Sequence, residues 1–299
     1  MKTLVWGLDK DYYDNREWIE SNFDDLYYYD ANEKKLPLYN AIKKEDLDNT
    51  LSEFDCILVA ADPPSIVDLL VNQYKISLSK IKVLFYEILK YNAEEIKFFG
   101  ESNEDAVIML LLSRLGISLK DARYLEIGTN DPVRHNNSFS LYQNGARGVL
   151  VDAFPMVGVL SQIIRPEDKF INCAVSDKSG ENVVFYACES SAYSSLDEEH
   201  HKQYENQRLN RVREISVPMI GINELINMCG FVPNVLLCDA EGFDERIVRG
   251  IEDYVFDIIM LETDHVDTDN DSLLNYMEEK GYKLFSRIKQ NDIYYRIKR

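Results

Sequence analysis

Arg123-Tyr-Leu-Glu126-Ile-Gly128-Thr-Asn130-Asp131-Pro132, with Gly148-Val-Leu-Val-Asp152-Ala-Phe-Pro155 after it, is the stretch that decides the fold. The first segment reads as a buried strand closed by an acidic residue and a glycine turn. A helical stretch follows, then a second buried strand that also ends in an acid. Open α/β sheets hold ligands at the carboxyl ends of strands, where the chain order reverses. Two strand ends of this chemistry suit a ligand with a ribose and a charged tail.

Gly128 lets the backbone turn sharply and approach a ligand closely, because it carries no side chain. Asp152 can accept hydrogen bonds from both ribose hydroxyls, the task of a carboxylate at the second strand end of dinucleotide folds. Gly128 is followed by Thr129 and Asn130, so the G-x-G-x-x-G spacing that docks a pyrophosphate is absent. A nucleoside ligand without a pyrophosphate fits better, and S-adenosylmethionine is the usual one. An ordinary βα turn is the alternative reading of the same letters.

Further pieces downstream are Asn137-Ser138, Gly145-Ala-Arg-Gly-Val-Leu-Val-Asp-Ala-Phe-Pro155, and Asn172-Cys-Ala-Val-Ser-Asp177 with Gly180. Ser194-Ser-Leu196, Asp239-Ala-Glu-Gly242 with Gly250, and Leu261-Glu262 continue the series. Together with Glu126–Pro132 they resemble the FkbM-type family of S-adenosylmethionine-dependent methyltransferases, in the family's order, between residues 100 and 299. The chain departs from the family at Thr129, where a small residue is usual. It departs again at Leu236-Leu-Cys238-Asp239, where Lys-Ile/Val-Asp is more frequent.

The resemblance implies a class I methyltransferase-like Rossmann sheet, mostly parallel with an antiparallel edge hairpin. It also implies roles for individual residues. Glu126 reaches the methionyl amine through water, Gly128 and Asn130 shape the turn, and Asp152 with Ala153 borders the ribose. The Cys173–Ala174 backbone, with Asp177 close by, lines the adenine. Asn137 and Ser138, opening the next helix, donate to the methionyl carboxylate at that helix's positive end.

Composition fits a two-part enzyme. A chain of 299 residues with 45% apolar and 28% charged residues can build real cores, and its length suggests about two domains. The net charge of −19 repels phosphate backbones and anionic membranes, so nucleic acid is not an expected partner. Five cysteines without a C-x-x-C read as buried free thiols, which points to a reducing compartment. No apolar run approaches the roughly 20 residues that span a bilayer. The sequence opens on a strand rather than an apolar leader, so a cytoplasmic location is expected.

The expected division is a small α/β Rossmann-like accessory domain over 1–92, before a methyltransferase domain over 93–299. In the first, Thr3–Trp6, Asp25–Tyr29, Cys56–Ala60 and Lys82–Phe85 read as strands. Asp14–Asn22, Asp46–Leu51 and Ser65–Gln73 read as helices, and the alternation implies parallel strands. Gly7 follows the first strand, but Leu8-Asp9-Lys10 lacks the further glycines a phosphate needs, so a scaffold without ligand is the plainer reading. Similar small domains precede FkbM-type units in surface-polysaccharide enzymes, which implies docking of substrate or a partner protein.

In the second domain, a connecting helix is expected from about Glu94. Glu104–Leu115 is expected as a helix stopped at Gly116, and it resembles the helix before the first strand of the family, which implies that it roofs the pocket. Strands are expected at Tyr124–Ile127, Gly148–Asp152, Phe170–Ala174, Asn182–Ala187, Val235–Asp239, Ile258–Glu262, Lys283–Arg287 and Asp292–Ile297. Gly221–Cys229, Asp244–Gly250 and Ser272–Lys280 are the clearest helices. Gln290-Asn-Asp marks a hairpin. Glu189–Arg213 is either a lid, with Tyr193, Ser194 and Ser195 facing the pocket, or a solvated helix. His200 and His201 have no third ligand nearby, so zinc is not expected there.

Methyl transfer to a hydroxyl needs alignment of donor and acceptor and removal of the acceptor's proton. Candidates sit at two strand ends: Asp239 and Glu241 at one, Glu262, Asp264 and His265 at the other. Asp239, Glu241 and His265 form a catalytic base group, or bind a hard divalent cation such as Mg²⁺. Against this, Asp239 reads as the cap of the helix near Asp244, Glu241 as support of that turn, and His265 as part of a solvated loop. The expected activity is O-methylation of a sugar or sugar nucleotide in polysaccharide biosynthesis, by a protein with no membrane span. Assembly with further copies of the chain stays open. One alternative is a non-catalytic or differently reacting sugar-nucleotide-binding protein that keeps the fold. Another is an oxidoreductase using the first domain, which the missing glycine-rich loop disfavours.

Overall fold

In the computed structural model the residues described are 1–91, 98–188, 191, 194–196, 211–240, 242–253, 256–263 and 271–297. Two compact units divide the chain. The first is Met1–Glu95 with Cys188–Tyr193 and Arg208–Val212, and the second is Ile96–Ala187, Ser194–Gln207 and Arg213–Arg299.

In the first unit the chain runs β1 (Thr3–Trp6), α1 (Lys10–Asp14), α2 (Arg16–Asn22), β2 (Leu26–Tyr29), α3 (Lys44–Thr50), β3 (Cys56–Val59), α4 (Pro63–Asp68), β4 (Ile81–Val83) and α5 (Leu84–Tyr91). Its described strands make an all-parallel sheet in the order β2-β1-β3-β4. Val5, Leu58, Ile19, Tyr28 and Leu84 belong to one buried cluster on it. The helix expected over Asp14–Asn22 is two segments broken at Asn15, whose amide turns back to the Tyr12 carbonyl. Phe85 lies in a helix rather than ending a strand, because the chain turns helical directly after Val83. The connecting helix expected from Glu94 starts in a segment largely outside the described residues.

The chain continues with α6 (Glu104–Leu115), β5 (Arg123–Ile127), α7 (Phe139–Gln143), β6 (Arg147–Asp152), α8 (Pro155–Ile164), β7 (Lys169–Asn172), β8 (Ala174–Ser176), β9 (Val183–Cys188) and β10 (Arg211–Val217), all in the second unit except Cys188, Arg211 and Val212. Then come β11 (Met219–Gly221), α9 (Ile222–Met228), β12 (Val235–Cys238), α10 (Asp244–Arg249), β13 (Ile258–Glu262), α11 (Asp271–Glu279), β14 (Tyr282–Ile288) and β15 (Asn291–Arg296). Among the described residues the central sheet has the order β14-β15-β13-β12-β5-β6-β7. It is parallel except at β15, which runs antiparallel to both β13 and β14.

Alternate residues of these strands feed two cores, as expected of a parallel sheet covered on both faces. Leu125, Val151, Leu236 and Ile259 pack with Ile222 of α9, Ile247 of α10 and Met277 of α11. Tyr124, Leu150, Leu237 and Met260 pack with Ile108 and Leu112 of α6 and Leu141 of α7. From β5 the chain builds outward to β6 and β7, then returns to place β12 and β13 on β5's other side. That reversal puts a topological switch point between β5 and β12.

Three sequence expectations change. Phe170–Ala174 is not one strand: Asn172 and Cys173 bond back to the Asp152 carbonyl, and the chain then leaves the sheet to pair β8 with β11. The run expected at Asn182–Ala187 is β9, which pairs with β10 outside the central sheet. The final hairpin turns at Lys289–Gln290, where Lys289 takes φ +49°, and Asn291 and Asp292 are already in register with Ile288 and Arg287. Asp292 is fixed there by Arg287 and the Tyr294 hydroxyl.

Candidate active site

The site is built at the carboxyl ends of β5, β6 and β12. Gly128 follows β5 with φ +79°, and its amide donates to the Val151 carbonyl at 2.9 Å. A Cβ placed on it falls 1.7 Å from the Asp239 carbonyl oxygen. Any side chain therefore faces both a strained backbone and a collision with the end of β12. Asp239 is locked to the same turn, its amide donating 3.0 Å to the Ile127 carbonyl. The glycine thus lets β5 and β12 close the floor of the crevice.

Asp152 ends β6. One carboxylate oxygen accepts the Asn130 amide at 2.8 Å and the other the Phe154 amide at 2.7 Å. Each oxygen keeps lone-pair capacity for another donor. Burial pushes this carboxyl up to about 6, against the pull of those two amides. Asn130 itself has φ +50°, a left-handed position that Asn tolerates. Asn172 donates its side-chain amide to the carbonyls of Asp152 and Ala153 at 2.8 and 3.0 Å, fixing the rim. Cys173 and Ala174 are buried, with their amides taken by the carbonyls of Asp152 and Pro218. Burial, with the Asp152 charge adding, raises the Cys173 thiol to about 12.

Glu126 and Ser138 stand together under the 129–138 loop. Glu126 is 4% exposed, and one of its oxygens accepts from Asn136 Nδ2 at 3.1 Å and Ser138 Oγ at 2.9 Å. Arg165, fully buried, stands 3.7 Å from the same oxygen and donates to Ser138 Oγ at 2.7 Å. One Glu126 oxygen and the Ser138 hydroxyl thus help hold the 129–138 loop. Burial raises the Glu126 carboxyl, and Arg165, Asn136 and Ser138 oppose the rise.

The hub of this network is Asn136 with Arg165. Asn136 Oδ1 accepts the amides of Ser138 and Phe139, starting α7, while its Nδ2 also reaches the Thr129 and Asp131 carbonyls. Arg165 pairs with Asp168 at 2.8 Å, bonds the Tyr124 hydroxyl, and lies against the rings of Tyr124, Phe139 and Tyr142. Sequence reasoning passes over Tyr124, Asn136, Arg165 and Asp168. The one available signal is the Arg165/Asp168 pair, three apart just after α8, and alone it reads as a solvated helix end.

On the β12 side, Asp239 is half-buried at the strand end. The turn after it is held by Asp244, whose carboxylate accepts the Ala240 amide at 3.1 Å and is pushed up to about 6 by burial. Asp244, not Asp239, therefore caps that turn. Glu262 closes the neighbouring β13 and is also half-buried. Glu241, Asp264 and His265 lie outside the described residues, as do Tyr193, His200 and His201. Ser194 and Ser195 are buried, and Ser195 exchanges backbone hydrogen bonds with Tyr186. Asp177 is held by Arg246 at 2.6 Å, which lowers its carboxyl.

Among the described residues no group of three or more His, Cys, Asp or Glu is arranged to hold a metal ion. None of the described helices is long and apolar enough to cross a membrane. All five cysteines are buried thiols.

A doubly wound sheet with a glycine turn, a buried carboxylate and an acidic strand end at its switch point defines an α/β protein whose ligand crevice lies at those strand ends. The methyltransferase FkbM domain model matches residues 126–284, more than half of the chain, and the protein belongs to that family. Methyl transfer is the corresponding class of chemistry. No curated protein matches the chain.

Proposed function

We propose that this protein is an S-adenosylmethionine-dependent O-methyltransferase acting on a sugar or sugar nucleotide of a surface polysaccharide. The observation that carries the proposal is the switch-point cradle. Gly128 brings β5 within contact of the Asp239 backbone, and Asp152 offers a carboxylate whose oxygens each hold one amide and retain capacity for a hydroxyl. These residues fit the cofactor: Asp152 accepts the ribose hydroxyls, Gly128 and Asn130 line the methionyl side, and Ala153, Cys173 and Ala174 border the base. When bound, the cofactor supplies an electrophilic methyl group on a sulfonium.

The chain's own part is alignment and proton removal. Asp239 stands across the Gly128 turn from Asp152, where its carboxylate takes the acceptor hydroxyl's proton, with Glu241 and His265 assigned to the same acceptor side. Glu126 and Ser138 are assigned to the methionyl amine and carboxylate, and the network they share with Asn136 and Arg165 holds the loop that carries Asn130. The net charge of −19 suits a small acceptor better than a nucleic acid. The first unit, with its parallel sheet, is assigned as a nucleotide-fold-like accessory domain.

Replacing Asp239 tests the reading. Asp239→Asn keeps shape and removes the base, so turnover with sugar-nucleotide pools falls by about 10²-fold or more. Calorimetric affinity for S-adenosylhomocysteine stays within about twofold, a change of under 0.5 kcal/mol. Equal losses in both would remove Asp239 from the acceptor side.

A further inference from the structure

The end of β1 in the first unit repeats the hydrogen-bond plan of the cradle at β5. Gly7, at φ +94°, donates its amide to the Tyr29 carbonyl at 2.9 Å, as Gly128 does to Val151. The residue after Tyr29 is Asp30, as the residue after Val151 is Asp152. Asp30 Oδ2 accepts the Leu8 amide at 2.7 Å and Oδ1 the Asn32 amide at 2.8 Å. Asp152 accepts Asn130 and Phe154 with the same division of oxygens. On the other flank, the Ala60 amide donates 2.8 Å to the Trp6 carbonyl, matching Asp239 on Ile127. A Cβ on Gly7 meets Ala61 at 2.6 Å, so here too the glycine lets the strand ends close. The order β2-β1-β3-β4 matches β6-β5-β12-β13 strand for strand.

We infer that the first unit carries a second ligand site at Gly7, Leu8 and Asp30, which takes the ribose diol of a phosphorylated ribonucleoside. The inference rests on reading Asp152 as the ribose acceptor, with the same geometry doing the same work twice. Asp30 is 7% exposed, yet each of its oxygens spends one acceptor position on an amide and keeps another. Its cover is Lys35, with a side chain about one-third exposed, whose ammonium lies against Asp9 and 3.7 Å from Asp30. An ammonium beside a diol-binding carboxylate suits a nucleotide better than a neutral nucleoside, because it answers the phosphate once it swings from Asp30. Leu8-Asp9-Lys10 supplies no glycine-rich phosphate nest, so the contact that selects the ligand is with its ribose.

The test uses the full chain saturated with S-adenosylhomocysteine, titrated by calorimetry with AMP, UMP and UDP-glucose and with 2′-deoxy-AMP and 2′-deoxy-UMP. A ribonucleotide binds at one further site, and its 2′-deoxy form binds at least about tenfold more weakly, the loss of one hydrogen bond to a charged group. UDP-glucose binding more tightly than UMP marks a sugar nucleotide as the ligand, and equal binding marks a free nucleotide. Asp30→Asn weakens the nucleotide to the same degree and leaves S-adenosylhomocysteine affinity unchanged, while Asp152→Ala does the reverse. If Asp30→Asn does not fold, the 2′-deoxy comparison on the unaltered chain decides. Absence of ribonucleotide binding, or equal binding of ribo and deoxy forms, overturns the inference. Because S-adenosylhomocysteine affinity is read on the same sample, failure of the cofactor site registers separately.

Discussion

In the proposed role of ribose acceptor Asp152 must be ionised, and it sits where ionisation is opposed by burial. With its carboxyl raised to about 6, the free protein holds a proton there below that pH. Under the proposed function, cofactor binding has to expel it. Affinity for S-adenosylhomocysteine is therefore level above about pH 7 and falls by about tenfold per unit below about 6. Calorimetry from pH 5 to 8 measures this, and affinity that is flat across the range contradicts it. Asp152→Ala weakens binding by at least about tenfold and abolishes the pH dependence, with an unchanged circular dichroism spectrum. Stability runs the other way. A carboxyl raised in the folded state binds more protons there than in the unfolded chain, so stability declines as pH rises from about 4, the unfolded value, to about 6. Asp244, also raised to about 6, adds to the same window.

Among elements, the loop from Thr129 to Ser138 is the one whose shape is set from below. Glu126, Asn136, Ser138, Arg165, Asp168 and Tyr124 form one buried polar network, and removing its only fully buried cation among these six strands two carboxylates. Arg165→Met should lower stability by about 3–5 kcal/mol, read as a shift in urea midpoint. A loss under about 1 kcal/mol would mean the carboxylates protonate and repack without it. The sequence made the strands and the two carboxylates at their ends legible because β5, β6, β12 and β13 are apolar runs closed by Gly, Asp or Glu. It did not reveal the bonds of Glu126 to Asn136 and Ser138 or its approach to Arg165, since an acid at a strand end reads the same with or without partners distant in the chain. Nor did it separate β9 from the main sheet. Val183-Val-Phe-Tyr-Ala-Cys188 has the composition of a central strand, and the choice of partner lies with β10.

At the scale of the molecule, two units with separate cores share one chain that crosses between them. The first unit includes Cys188–Tyr193 and Arg208–Val212 besides its N-terminal part. Ser191 donates both its amide and hydroxyl to Asp62 within that unit, at 2.8 and 2.7 Å. Truncation near residue 92 therefore removes the partners of that returning segment, and thermal unfolding of the whole chain is the cleaner probe. S-adenosylhomocysteine at about 100 times its Kd should stabilise the second unit by about 2.7 kcal/mol, raising one of two calorimetric transitions and leaving the other in place. A single transition that rises as a whole contradicts independent units. The most direct measurement is a crystal structure of the chain soaked with S-adenosylhomocysteine. The account predicts density at the β5–β12 switch point, with the ribose hydroxyls on Asp152 and the thioether directed to Asp239. Density placed elsewhere, or a ribose making no contact with Asp152, contradicts it.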